Sequence, residues 1–285
     1  MKRPSEVRRT MHQLAKSPLT LIGIIIILGL LVVAIFAPYI APYNPIKINP
    51  SIRLQAPSLQ HFLGTDNAGR DIFSRIIYGA RISLQVGAVV MSTAVVIGVL
   101  IGVPSAYFGG ILDELIMRST DVFLSFPYLV FAMAITAALG RGITNAMLAM
   151  VVIWWPAYAR LVRSQVLKVK EQQYVESAKS IGCSTLRIIV RHVLPNSISP
   201  VIVQGSLDFG QAIMMAAGLS FIGLGAQPPS PEWGAMATVG SRHMREAWWF
   251  ATFPGLAILI SVVGFNLLGD GLRDFFDPRL RRLKI

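Results

Sequence analysis

The feature that most limits how this chain can fold is the run of residues 19–36, which contains no charged side chain. At 1.5 Å of rise per helical residue, a run of that length reaches across a hydrocarbon layer of about 30 Å. Residues 1–18 before it are basic, with Lys2, Arg3, Arg8, Arg9 and Lys16 against Glu6. A cleaved signal peptide opens the same way, but its apolar core is only about 7–15 residues and a small-x-small cleavage site follows. An uncleaved first span is therefore expected. Five more apolar runs follow at 86–107, 122–139, 146–162, 201–224 and 251–268. Composition agrees, since 14% of the residues are charged and mean hydropathy is +0.60, whereas soluble proteins carry about 25% charged residues. The expected fold class is an all-α membrane protein with six transmembrane helices.

Six spans put both termini on one side, and the distribution of Lys and Arg says which. Of the 26 in the chain, 18 fall on the side of the N-terminus and 8 on the other. Basic residues concentrate on the cytoplasmic side. Both termini, the loop 163–200 and the tail 269–285 are thus expected in the cytoplasm, and the basic tail against its lipid surface. The loops 37–85 and 225–250 are expected outside. The same asymmetry accounts for the net charge of +12 without nucleic acid. The single cysteine, Cys183, excludes an intrachain disulfide, and no two of the four histidines are close enough in sequence to suggest a metal site.

The outer loops carry their own signals. Pro38, Pro42, Pro45, Pro50 and Pro57 impose an extended course on the first, which ends in an amphipathic helix about Ile72, Phe73, Ile76 and Ile77, expected at the interface. Residues 218–236 are too rich in Gly and Pro for a simple helix and are expected near the external mouth of a pore. Trp233, Trp248 and Trp249 suggest an outer aromatic belt. Within the membrane layer, Gly98 and Gly102 form a G-x-x-x-G that permits close helix approach. Trp154, Trp155 and Pro156 suggest a bend or interface. Asp208 is the one carboxylate that falls within an apolar run, and an intramembrane charge marks a pathway or gate by default.

The one long polar segment between spans is 168–196, KVKEQQYVESAKSIGCSTLRIIVRHVLPN. Tyr174, Ala178 and Ile181 fall on one helical stripe, opposite Lys170, Glu171, Gln172, Glu176 and Lys179. Gly182 should end that helix, Ser184 should cap a second, and Leu186, Ile189, Val190 and Val193 make its apolar stripe until Pro195 discourages continuation. The expectation is a helical hairpin held between two spans.

Glu176, Ala178, Gly182, Leu194 and Pro195 follow the spacing E-x-A-x3-G-x11-L-P, which resembles the EAA loop of permease subunits of ABC importers. Ser177 stands in place of the second alanine and His192 where isoleucine is commonest. Three further blocks, HFLGTDNAGRDIFSRIIYGARISL, LSFIGLGAQPPSPEWGAM and FNLLGDGLRDFFDPRL, resemble segments of the second permease of dipeptide and oligopeptide importers. The resemblance implies a type I importer half-pore whose core permease domain spans 80–280. It implies a heterodimer with a second six-span permease, two ABC ATPase subunits beneath, and an extracytoplasmic solute-binding protein. It also implies that Tyr174, Glu176, Ala178, Gly182, Leu186, Leu194 and Pro195 belong to the ATPase-coupling loop, so that a cysteine at Ala178 would crosslink to the ATPase. Related permeases carry peptides, glutathione, nickel chelates or sugars.

The residues agree with a non-enzymatic pore subunit on one point. There is no G-x-x-x-x-G-K-[ST] loop and no Gly-Lys pair, so this chain is not expected to cradle ATP, and ATP with its magnesium is expected on partner subunits. The alternatives are an ion-gradient-driven secondary transporter, which needs intramembrane charges and often a repeat, and a channel, which needs a filter. Only Asp208 favours the first, and nothing in the sequence resembles a filter. A membrane enzyme lacks any deep nucleophile or carboxylate pair.

Overall fold

A computed structural model describes residues 17–276. The expectations for the basic N-terminus up to Lys16, for Asp277 and Pro278, and for the tail from Arg279 lie outside the described residues.

The described residues are helical, with no strand beyond an isolated bridge between Thr65 and Asp71. Helix α1 is Pro18–Ile35, opened by Pro18 in its first turn and by Ser17, whose hydroxyl accepts from the Thr20 amide. A short helix α2, Ala37–Ile40, follows. Helix α3, Ile72–Phe108, is 37 residues long, capped by the Asp71 carboxylate 2.7 Å from the Ser74 amide. At roughly 55 Å it outreaches a bilayer, so the amphipathic segment and the run 86–107 form one continuous helix.

The run 122–139 is not one helix. Helices α4, Gly110–Leu124, and α5, Tyr128–Leu139, meet at 88°. Pro127 is the reason: its ring disfavours α geometry at Phe126, and the chain turns before helix can resume. By contrast α6, Ile143–Lys170, continues without interruption through Pro156, and Trp155 beside it makes an interface with Phe123 of α4, ring centroids 5.4 Å apart. Its polar end carries the helix past the apolar run 146–162. Helices α7, Gln173–Ser180, and α8, Thr185–Ser197, form the polar hairpin, and α9, Ser199–Phe221, leaves it at 51°. Helix α10, Trp233–Ser241, overlaps the end of the Gly- and Pro-rich segment 218–236 and runs on into the loop 225–250, where the sequence reading places no helix. Helix α11, Trp249–Phe276, closes the described chain. Four of these helices are long and apolar enough to cross a membrane, or six spans if each bent pair counts as one.

Two apolar cores hold the helices. The first joins α3, α6 and α9 through Val90, Ala94, Met150, Val162 and Ala212, and continues into the hairpin. Gly98 and Gly102 let α3 lie against α6: a Cβ on Gly102 would stand 2.5 Å from the Ala159 carbonyl oxygen. The second core joins α1, α9, α10 and α11 to the start of α3 through Ile27, Ile72, Ile213, Trp233 and Phe265.

The second core is roofed by a polar cap at the end of the molecule opposite the hairpin. Asp66 accepts from the Ala68 and Arg70 amides and from Arg70 Nε at 2.6 Å. Arg75 Nε lies 3.6 Å from the same carboxylate, while its Nη1 and Nη2 donate to the carbonyls of Pro45, Pro229 and Ser230. His61 Nδ1 lies 2.9 Å from Asp71 Oδ1. Trp233 Nε1 donates to the Ile76 carbonyl at 3.0 Å. Only Trp248 is exposed, whereas Trp233 and Trp249 are buried, which corrects the aromatic belt. Two of the three indoles are interior struts because their N–H groups find carbonyls inside the protein. Glu232 caps α10 through the Gly234 and Ala235 amides, and burial pushes its carboxyl above the ordinary glutamate range.

Candidate functional site

The hairpin hangs from the end of α6. Helix α7 starts after a turn at Glu171 and Gln172 and ends at Ser180. Its termination uses two backbone bonds: Gly182 N–H donates to Lys179 O at 3.0 Å, and Cys183 N–H to Ala178 O at 3.1 Å. This paired arrangement requires a left-handed residue after the helix, and Gly182 has φ +80. Nothing stands within 4 Å of where its Cβ would be. Conformation alone therefore calls for glycine here.

The apolar stripes differ from those expected. In α7 the buried residues are Val175 and Ala178, while Tyr174 is 43% and Ile181 80% exposed. In α8 they are Ile188 and Val193, while Leu186 is 72% and Val190 56% exposed. Ala178 and Val193 are buried as expected, but in α7 Val175 takes the place of Tyr174 and in α8 Ile188 takes the place of Leu186 and Val190, because the register of short helices is set by what they pack against. Here that is the end of α6, through Val162 and Val166. Buried Ala178 is a close-packing position inside the hairpin, and a cysteine there would point inward; Ile181 and Leu186 are the outward positions.

The other residues of the spacing pattern fall as follows. Glu176 is exposed in the first turn of α7, where a negative charge complements the helix dipole. Ser184 has cap-like backbone angles, but its hydroxyl makes no cap bond. Leu194 is partly buried against the first core and Pro195 is exposed. Pro195 does not stop the helix as expected. It sits in the turn following a π-helical stretch, Ile189–Val193, and the helix continues through it to Ser197. The chain bends three residues later.

Asp208 is apart from the hairpin, half-buried on α9. Tyr158 Oη of α6 donates to Oδ2 at 2.7 Å and Gln204 Nε2 to Oδ1 at 2.9 Å. The partners are neutral, and among the described residues no cation pairs with it. Its neighbours Gly205, Ser206 and Phe209 line an open apolar groove of about 330 Å³ together with Met91, Ser92 and Phe265. Tyr158 as a partner could not be read from the sequence, since 50 residues separate the two. Among the described residues no three His, Cys, Asp or Glu side chains converge as a metal site would require.

A type I importer permease is what this helix order and hairpin define, and comparison with known proteins agrees. Residues 94–282 match the family described as binding-protein-dependent transport system inner membrane component. Residues 5–57 match the N-terminal transmembrane domain of oligopeptide transport permease C. The chain belongs to this family of ABC importer permease subunits, in its dipeptide and oligopeptide branch. It is 46% identical over 274 residues to the dipeptide transport system permease protein DppC of Alkalihalophilus pseudofirmus, covering 96% of this chain and 90% of that protein. It is 49% identical to the probable D,D-dipeptide transport system permease protein DdpC of Escherichia coli K12, covering 92% and 88%. It is 44% identical to an Escherichia coli glutathione transport system permease protein, GsiD, covering 98% and 94%. Among solved structures, the inward-facing MetNI methionine ABC transporter superposes with TM-score 0.58 at 16% identity, covering 72% of this chain and 98% of that one. An amino acid ABC transporter superposes with TM-score 0.55 at 17% identity, covering 74% and 94%.

Proposed function

We propose that this permease imports short peptides or a similar small solute such as glutathione, with the hairpin as its docking surface for an ABC ATPase. The observation that carries the docking role is the exposed apolar set Tyr174, Ile181, Leu186 and Val190. It stands on a hairpin whose other face is fixed in the core, and apolar groups presented on a polar loop mark an interaction surface. The orientation follows from basic residues: both termini and the hairpin face the cytoplasm, and the capped end faces outward. The full assembly pairs this chain with a second six-span permease and two ATPase subunits, which carry ATP and magnesium, and receives solute from a binding protein. The names of the relatives support the solute class. Asp208 lines the solute pathway, because neutral donors leave its charge to interact with solvent or solute beside the groove.

The test is affinity purification of the tagged chain in mild detergent, with ATPase recovery measured. The double variant Ile181→Asp, Leu186→Asp is expected to recover less ATPase by about tenfold or more, since each buried side chain of this size contributes about 1.5–3 kcal/mol. The permease itself should stay folded because both positions are exposed. Unchanged recovery would remove the hairpin from the interface. Absence of any ATPase with the unaltered chain, in a preparation that keeps comparable complexes together, would favour an autonomous transporter. A second variant probes the turn: Gly182→Val places a β-branched residue at φ +80, which costs at least about 1–2 kcal/mol. Transport in vesicles should fall with it, while Gly182→Asn, which tolerates that conformation, should retain most of the activity.

A further inference from the structure

The last turn of α3 meets α4 at a two-glycine corner. Gly109 has φ +67 and Gly110 φ +62, and nothing lies within 4 Å of where a Cβ would stand on either. Packing does not demand glycine here; the backbone conformation does, and the corner is left unsupported by side chains of its own.

Polar contacts bridge it from outside. Arg163 of α6 grips Asp113 of α4 with two bonds of 2.6 Å, Nε to Oδ1 and Nη2 to Oδ2. Ser105 of α3 donates to the same Oδ1 at 2.5 Å. Lys170, the last residue of α6, donates to the Ala106 carbonyl at 2.8 Å. Lys179 of α7 places its ammonium 5.8 Å from the centre of the Tyr107 ring. One carboxylate thus joins three helices at the base of the hairpin.

We infer that Asp113, held by Arg163, is the positioning residue that carries hairpin movement into α3 and the bent pair α4–α5. The inference rests on the proposed docking role of the hairpin and states where its displacement goes. Helix α6 is unbroken from Ile143 to Lys170, and Val175 and Ala178 share a core with Val162 and Val166, so hairpin and α6 end move as one body. A flexible corner by itself would absorb that movement. A planar guanidinium fork on a carboxylate resists both separation and rotation, as a single lysine contact does not. The side chains are 31% and 17% exposed, enough shielding from water for the pair to hold, and enough access for its loss to be tolerated.

The test uses the whole complex, permeases with ATPases and binding protein, in proteoliposomes. Asp113→Ala is expected to leave ATPase recovery and basal hydrolysis near the unaltered values while solute taken up per ATP hydrolysed falls about tenfold, within the usual range of intersite coupling. The charge-exchanged double variant Asp113→Arg, Arg163→Asp should restore uptake per ATP to within about threefold, less than the weakest usual coupling. A purely structural pair would instead lower complex recovery and thermal stability with uptake per ATP unchanged, and that result would overturn the inference. Should Asp113→Ala fail to assemble, the exchanged pair decides: assembly with coupled uptake supports the role, and assembly with uncoupled hydrolysis refutes it. Loss of ATPase binding by the unaltered hairpin would strike the docking role and not this pair.

Discussion

Arg75→Ala is expected to lower the stability of this permease by about 3–5 kcal/mol, close to the effect of breaking a buried ion pair. The guanidinium is buried and joins three segments of the chain: the Pro45 turn, the Asp66 turn and the Pro229–Ser230 segment that precedes α10. Its removal leaves three carbonyls without a donor, at about 1–3 kcal/mol for each that water cannot reach. Asp66 keeps Arg70 and two amides, so the carboxylate is not stranded. The damage should be local: the loop 41–70 loosens first. Limited proteolysis in detergent should show cleavage there at a temperature where the helices remain intact, and the melting temperature should fall. Arg75→Lys retains the charge and loses the fork, so it should restore only part of the loss. Equal protease resistance of Arg75→Ala and the unaltered chain would show that the cap does not depend on this residue.

The second large effect is expected at Gly102. The α3–α6 contact is made by backbone approaching backbone. A Cβ on Gly102 would stand 2.5 Å from the Ala159 carbonyl oxygen and 3.0 Å from Val162 Cβ, and neither can retreat without moving α6. Gly102→Leu should therefore cost upwards of about 3 kcal/mol, the upper end of overpacking. It should also disturb the hairpin, because α6 carries it. Gly29→Leu is the control. It lies on the exposed face of α1 with nothing within 4 Å and should leave the melting temperature unchanged. Size-exclusion profiles and thermal melts in one detergent measure both. A well-behaved Gly102→Leu protein with an unchanged melt would mean that the helices are not packed as described.

Apolar runs, basic asymmetry and the E-x-A-x3-G-x11-L-P spacing are local properties, and they were sufficient for the helical class, the approximate positions of five apolar helices, the hairpin and its turn at Gly182. Each depends on residues within a few turns of one another. The break at Pro127 is also local in cause, but an apolar run conceals it, because hydropathy does not sense a change of direction. What only the tertiary structure decided is which face of each short hairpin helix is buried, that Trp233 and Trp249 are struts, that Tyr158 holds Asp208, and that Arg163 reaches Asp113. The hydrogen bonds among these join residues 50 or more apart. For a helix of two turns, moving the buried stripe by one residue changes local periodicity little, and the surface it packs on makes the choice. The long polar contacts have no periodicity at all; they exist because the parallel packing of α3 on α6, allowed by two glycines, brings the ends of both helices to the same corner.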